Sequence, residues 1–370
     1  MTPPVEIGIV GLGRLGLCLA LNLERAGFHV SGFDTDQERA EFINSKKLKS
    51  TEPQVDELLK ESLHFKSFNN IEVLQKCLLQ FVVVPTNSLP EGGYDHQHIE
   101  TVLQSLEAIG PMPEKRVIAI NSTTMPGYCD TLVERFEKLN CSLVYNPEFI
   151  AQGSIIDNQL HPDQVLIGTH DDAAGSMVAS VYKQMCPNEP IFCHMNLISA
   201  EMAKLATNCF LTMKISFANA MGDLATKAGA EPEKILAAVG SDSRIGGKYL
   251  QYGFGFGGPC FPRDNKALSK FAREQQLPLH LSEATDRINL EHLEFQTQQW
   301  LQEYPADAPI VFDSVTYKKG TDILEASQQL ALAGNLARAG RQIIIREQPT
   351  IVSRLQERYG TLFSYEIQEG

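Results

Sequence analysis

The 370-residue chain has no run of apolar residues long enough to span a bilayer, and its opening strand-like stretch, Val5 to Val10, follows no basic, cleavable leader. No membrane partner is therefore expected, and the cytoplasm is the expected compartment. A Lys/Arg cluster is also missing. With 32 basic against 45 acidic residues and a net charge of −13, the chain cannot neutralise a phosphate backbone, so no nucleic acid is expected as a partner. The eight cysteines, at 18, 77, 129, 141, 186, 193, 209 and 260, include no CxxC pair. That spacing argues against a zinc site and a disulfide framework, so no metal is expected and most of the thiols should be buried and reduced. Repeats and low-complexity tracts are lacking too. What remains, 43% hydrophobic and 21% charged, is the composition of a folded protein too long for one ordinary core.

The first pattern along the chain is an apolar run at 5–10, the turn GLGRLG at 11–16, and an apolar-periodic stretch from Leu17 to Ala26. It predicts strand, glycine turn and helix. A second strand, 28–33, ends at Asp34, and runs at 79–84, 116–120, 142–145 and 164–168 predict further buried strands separated by helices. Alternation of this kind implies an α/β fold with a parallel, Rossmann-like sheet covered on both faces. From about 196 to 229 the pattern becomes one long helix, with Met202, Leu205, Cys209, Phe210, Met213 and Phe217 among its apolar positions. Its length suits a bridge between domains and a dimer contact. A third block holds strands at 309–312 and 342–345 and helices at about 324–339 and on to Tyr359. The expected division is a Rossmann-like domain over 1–195, a central helical dimerisation domain over 196–302, and a short C-terminal α/β domain over 303–370.

Gly11, Gly13 and Gly16 fall between strand and helix, where glycines permit a tight turn, close approach to a pyrophosphate and tight helix packing. Leu15 belongs to the same turn. The phosphates would lie on the unpaired N–H groups of the helix. Asp34 would accept hydrogen bonds from the adenosine ribose and repel a 2′-phosphate, which favours NAD over NADP. A second glycine-rich stretch, GFGFGGPCFPRD at 253–264, surrounds Cys260 with four glycines and two prolines and suits a positioned nucleophile. Such a thiol needs a nearby cation or helix terminus, and Arg263 and Lys204 are candidate cations.

Taken with VPTN at 84–87, NSTTMPG at 121–127, NPEFIAQG at 146–153, AEMAKLATNCFLTMKISFANA at 200–220 and RIGGKYL at 244–250, the glycine turn and cysteine loop resemble the UDP-glucose/GDP-mannose dehydrogenase family. The resemblance covers about residues 5–345. It implies oxidation of the C6 alcohol of a nucleotide sugar to a carboxylate, most readily UDP-glucose to UDP-glucuronate, with two NAD and a thioester on Cys260. It implies that Lys204 and Asn208, four apart on the long helix, stabilise an oxyanion and contact substrate. Asp264 and Thr123 would orient or activate the hydrolytic water, and Glu148 would contact substrate and assist as acid–base or by positioning that water. Pro85, Thr86 and Thr123 would join the glycine turn in holding the cofactor. Arg244, Tyr249, Gly257 and Lys318 would contact substrate, Arg244 that of a neighbouring subunit in a homodimer.

Several positions depart from the family pattern. Gln152 stands where the family has Glu, Gln164 where it has Arg, and Glu325 where an arginine approaches the cofactor phosphates; the C-terminal domain is also expected to be shortened. Two other readings compete. One is a two-electron dehydrogenase of the hydroxyacid type, with a helix lysine and no use for Cys260. The other is a non-catalytic protein that binds NAD or a sugar nucleotide.

Overall fold

A computed structural model describes residues 5–368. The chain divides into two compact units, one up to Lys204 and one from Leu205 onward. In the first, the expected opening is present: β1 (Glu6–Val10), α1 (Arg14–Arg25) and β2 (His29–Phe33). After them come α2 (Gln37–Asn44), α3 (Val55–Glu61), β3 (Phe65–Phe68), β4 (Leu79–Val82), α4 (Gln97–Ile109), β5 (Arg116–Ile120), α5 (Tyr128–Lys138) and β6 (Cys141–Tyr145). The unit closes with α6 (Ile155–Leu160), β7 (Gln164–Thr169), α7 (Asp172–Met185), β8 (Ile191–Met195) and the start of α8 (Leu197–Ala228).

Its eight strands form one sheet in the order β3-β2-β1-β4-β5-β6-β7-β8. The sheet is parallel as expected except at β6 and β7, which run antiparallel. The segment between them, 146–163, carries only the six-residue α6, and β7 returns alongside β6. The central strands β1, β4, β5 and β6 are buried almost throughout because helices cover both faces, and two hydrophobic clusters, one per face, hold those layers. The reversal of strand order at β1/β4 puts a crevice at the carboxyl ends of these strands, the usual ligand position in such sheets.

The second unit holds the remainder of α8, α9 (Pro232–Ser241), α10 (Phe261–Glu274) and α11 (His280–Glu303). A parallel three-stranded sheet follows, ordered β11-β10-β9, with β9 (Ile310–Phe312), α12 (Gln328–Arg338), β10 (Ile343–Glu347), α13 (Pro349–Tyr359) and β11 (Ser364–Ile367). Leu293, Trp300 and Leu301 of α11 pack on its core. α8 tolerates an interior glycine because the Tyr252 ring occupies the space beside Gly222, where a Cβ would come within 2.0 Å of it.

Candidate active site

In the first unit every candidate except Lys204 sits in a segment leaving the carboxyl end of a strand. β1 runs into the glycine turn. Gly11 has φ +92°, and a Cβ there would lie 2.4 Å from the Val83 carbonyl; one on Gly16 would lie 1.9 Å from the Gly11 carbonyl. Both glycines are thus required by the turn itself. Gly13 differs: a Cβ there meets nothing within 4 Å. It is the N-cap of the 12-residue α1 and offers no side chain to the first-turn N–H groups. Open space beside uncapped donors and a positive helix end is what a dinucleotide pyrophosphate needs, so these residues fit NAD. Leu15 contributes its carbonyl to Gln159 Nε2 (3.3 Å).

At the end of β2, Asp34 accepts from Leu12 N–H (2.7 Å) and Asp36 N–H (3.0 Å), which ties the carboxylate to the glycine turn. Pro85 is exposed and Thr86 buried after β4. Their segment is joined to the loop after β5, since Ser122 Oγ donates to the Val84 carbonyl (2.7 Å) and accepts from Val84 N–H (3.0 Å). Thr123, next in that loop, is partly buried.

Glu201, which the motif reading passed over, anchors this loop. Fully buried on the first turns of α8, its carboxylate accepts from Thr124 Oγ (2.7 Å), Gly127 N–H (2.6 Å) and Cys129 N–H (3.0 Å). One turn further along α8, Lys204 Nζ donates to the Glu148 main-chain carbonyl (2.8 Å) and lies 4.4 Å from the centre of the Phe149 ring. Its ammonium is thus held against the loop after β6. In that loop both Glu148 carboxylate oxygens accept from Gln159 Nε2 (3.1 and 2.9 Å). Burial pushes the Glu148 carboxyl up to about 7, against the opposing pull of that hydrogen bond and of Lys204. Two more residues were missed in the sequence. Glu52 is buried and accepts from Gly153 N–H (2.8 Å) and Ile155 N–H (2.6 Å), fixing the far end of the same loop. His96 accepts from Met125 N–H (3.1 Å) and stacks on Tyr128; burial holds its ring down at about 4, so it is an acceptor at neutral pH. A lone acid or histidine in a helical or loop stretch reads as solvated surface, and only the fold buries the two acids and half-buries the histidine.

Of the departures, Gln152 accepts from Arg14 Nη1 (3.0 Å), and Gln164 opens β7 with its amide oxygen 3.9 Å from Cys193 Sγ.

In the second unit Cys260 is exposed and is the N-cap of α10; six of the other cysteines are buried and Cys193 is partly so. Asp264, in the first turn of α10, is buried and accepts from Asn208 Nδ2 at 2.5 Å. Arg263 Nη1 donates to the Pro259 carbonyl (3.3 Å). Three of the four glycines before Cys260 are consumed by packing within the unit, while a Cβ on Gly253 would meet nothing within 4 Å. A Cβ on Gly257 would lie 2.1 Å from the Ala326 carbonyl, and one on Gly258 (φ +78°) 2.5 Å from the Tyr317 ring. Gly258 N–H also donates to the Glu325 carbonyl (3.2 Å), so Glu325 holds the loop through its backbone while its side chain is exposed. Tyr249 has φ +62° and meets Phe261 edge to face. Arg244 pairs with Asp242 (2.7 Å) on an exposed turn. The Lys318 carbonyl accepts from Thr316 Oγ (3.0 Å) and Thr321 Oγ (2.7 Å) in the loop between β9 and α12. Among the described residues no group of three or more His, Cys, Asp or Glu could hold a metal ion, and no helix is long and apolar enough to cross a membrane.

Residues 5–186 match the NAD binding domain of the UDP-glucose/GDP-mannose dehydrogenase family, and residues 198–291 match its central domain. The UDP-glucose 6-dehydrogenase of Rickettsia bellii is 28% identical over 349 residues, covering 92% of this chain and 80% of that protein. The UDP-glucose 6-dehydrogenase AglM of Haloferax volcanii is 26% identical over 370 residues, covering 96% and 86%. Among solved structures, a UDP-glucose dehydrogenase from Pyrobaculum islandicum aligns with a TM-score of 0.88 at 27% identity, over 99% of this chain and 86% of that one. The UDP-D-ManNAc dehydrogenase of Pyrococcus horikoshii shares the fold, with a TM-score of 0.78 at 23% identity over 98% and 94%. The glycine turn with its open helix end lies in the first matched domain and the exposed thiol in the second, and together the two domains account for most of the residues; the chain belongs to the UDP-glucose/GDP-mannose dehydrogenase family of NAD-binding nucleotide-sugar dehydrogenases.

Proposed function

We propose that the chain oxidises the C6 hydroxymethyl group of UDP-glucose to the carboxylate in two oxidations joined by a thioester on Cys260. The placement of Cys260 carries the reading: an exposed thiol opens α10, with the Asp264–Asn208 pair in the following turn. A single two-electron alcohol oxidation has no task for such a thiol, whereas a double one does. UDP-glucose is preferred because it is named in the curated relatives at 26–28% identity, while UDP-ManNAc is named in a structure at 23%.

In the first oxidation C6 loses a hydride and its hydroxyl a proton, leaving an aldehyde. The Cys260 sulfur adds to the carbonyl carbon and the oxygen takes a proton, giving a thiohemiacetal. Loss of a second hydride and the hydroxyl proton gives the thioester. Water then attacks, the C–S bond breaks, and carboxylate and thiol are released. NAD, when bound, accepts one hydride per oxidation. Lys204 and Asn208, one helical turn apart, are assigned to the oxyanion, and Asp264 and Thr123 to the water. Glu148, with its carboxyl near neutrality, is assigned the proton. Gly11, Gly13, Leu15 and Gly16 would receive the pyrophosphate, Asp34 the ribose, and Pro85, Thr86 and Thr123 the remainder of the cofactor. Tyr249, Gly257 and Lys318 are assigned to substrate.

We also propose a homodimer. Phe210, Phe217 and Leu224 are exposed and recur every seven residues, giving one apolar stripe along α8. Arg244 would then serve the neighbouring subunit's substrate. Phe217→Glu should shift sedimentation toward monomer; an unchanged dimer would remove α8 as the contact.

The deciding experiment is NADH formed per sugar, with UDP-glucose, a UDP-N-acetylhexosamine and GDP-mannose in parallel, for wild type and Cys260→Ala. Two NADH per UDP-glucose, lost in the variant, are expected. One NADH with the variant active would indicate the hydroxyacid-type reaction. NAD binding with no NADH from any sugar would indicate a binding protein.

A further inference from the structure

We propose that the buried Asp223–His292 pair is a positioning device for the Cys260 loop, an inference that rests on the reading of Cys260 as the nucleophile. α8 presents Asn219 and Asp223, spaced four apart, and α11 presents Asn289, His292 and Gln296, spaced three and four, to the segment that leads to Cys260. Each such set occupies one helix face. His292 Nε2 lies 2.6 Å from the Gly253 carbonyl, and Nδ1 lies 2.9 Å from each Asp223 carboxylate oxygen. A carbonyl oxygen can only accept, so Nε2 carries a hydrogen and points it at Gly253, while the carboxylate holds the opposite edge of the ring. Tyr252 Oη donates to the same carboxylate (2.8 Å) and Gln296 Nε2 to the same carbonyl (3.2 Å). The preceding peptide is held as well: Gly253 N–H donates to Asn219 Oδ1 (3.1 Å).

From there the anchors continue toward the thiol. Phe256 N–H donates to Asn289 Oδ1 (2.9 Å), Asn289 Nδ2 donates to the Phe256 carbonyl (3.0 Å), and Gly258 N–H reaches the Glu325 carbonyl. A stretch containing four glycines has little torsional stiffness of its own, so the direction in which it delivers Cys260 is set by these anchors. The His292 side chain is 1% exposed and that of Asp223 18%. A buried pair of this kind is costly to desolvate, and an apolar pair of equal volume would join two helices as well. What an apolar pair could not do is orient the Gly253 carbonyl.

The test uses the full chain with His292→Gln, which can donate to the carbonyl or the carboxylate but cannot span both, and Asp223→Asn as the second variant. Four quantities are read: the rate of Cys260 alkylation by iodoacetamide without substrate, kcat, KM, and NAD affinity. The expected result is NAD affinity and KM within about two-fold of wild type, kcat lower by about ten-fold or more, and an alkylation rate shifted by about five-fold, since small misplacement of a reacting group is amplified in rate. A folded variant whose kcat and alkylation rate both stay within about two-fold of wild type would overturn the proposal, as would losses that only track the unfolded fraction. If His292→Gln does not fold, Asp223→Asn is read by the same criteria. Alkylation separates this inference from its parent: a shifted alkylation rate beside a Cys260→Ala protein that still makes carboxylate would sink the thioester and leave the positioning intact.

Discussion

The chain has two glycine-rich turns, and the glycine at the helix start of one and the glycine pair before the thiol of the other meet opposite surroundings. Around Gly13 the space a side chain would fill is open and lies at an uncapped helix end. Around Gly257 and Gly258 that space is already taken by Ala326 and Tyr317. In sequence the two turns look alike, each suggesting backbone laid against a ligand. The open glycine of the first turn caps a helix, whereas the open glycine of the second, Gly253, lies seven residues before the thiol. The second is a packed hinge whose product is the placement of the thiol that follows it. Glycine density therefore marks backbone that must come close to something, and whether that something is a ligand or the chain itself depends on what the fold brings there.

Substitutions can sharpen this contrast. Gly16→Ala should have the largest effect, because its Cβ would lie 1.9 Å from the Gly11 carbonyl; loss of NAD binding by more than about a hundred-fold and a clear drop in Tm are expected from calorimetry and thermal melts. Gly257→Ala should come next, with about 2 kcal/mol lost to strain against Ala326, a changed Cys260 alkylation rate and an NAD affinity like wild type. Gly13→Ala should invert that pattern, with Tm unchanged and NAD about ten-fold weaker, since the methyl group meets no protein atom and only a ligand would feel it. A fall in Tm with intact NAD binding in Gly13→Ala would break the comparison.

The smallest effect expected is a pH dependence. Because the Glu148 carboxyl is raised from 4.5 to about 7, the folded state binds its proton more tightly than the unfolded chain does. The stability this contributes is present below about pH 4.5 and is lost as pH rises through about 7. Thermal melts across that range should show wild type losing a few degrees relative to Glu148→Gln. Parallel curves for the two proteins would remove the burial account of this group.

Much of the fold was legible because apolar runs mark strands buried on both faces. β1, β4, β5, β6 and β7 all announced themselves in this way, and the long α8 by its helical periodicity. β3, β8 and β11 did not. They are short edge strands mixing apolar with polar residues, as in Ile191–Met195, and they depend on a neighbour for their conformation. The antiparallel turn at β6/β7 was also hidden, since an apolar run carries no direction. At the site, motif residues such as Lys204, Asn208 and Asp264 could be named from the sequence, but the partners found for them here could not. Lys204 meets a main-chain carbonyl and Asn208 meets Asp264, both products of tertiary packing. Glu201, Glu52 and His96 were invisible for a related reason: a buried charged or polar group announces itself only once its donors and acceptors are in place.

The carboxylate of Glu201 also bears on how the chain can be cut. Its three donors lie 72 to 77 residues earlier, at the turn that begins α5. An expressed fragment ending before α8 would lack the carboxylate that accepts from those donors, at about 1–3 kcal/mol for each donor that stays out of water. A nucleotide-binding fragment meant to stand alone should therefore carry the first turns of α8 with it, even though no strand of its sheet lies there.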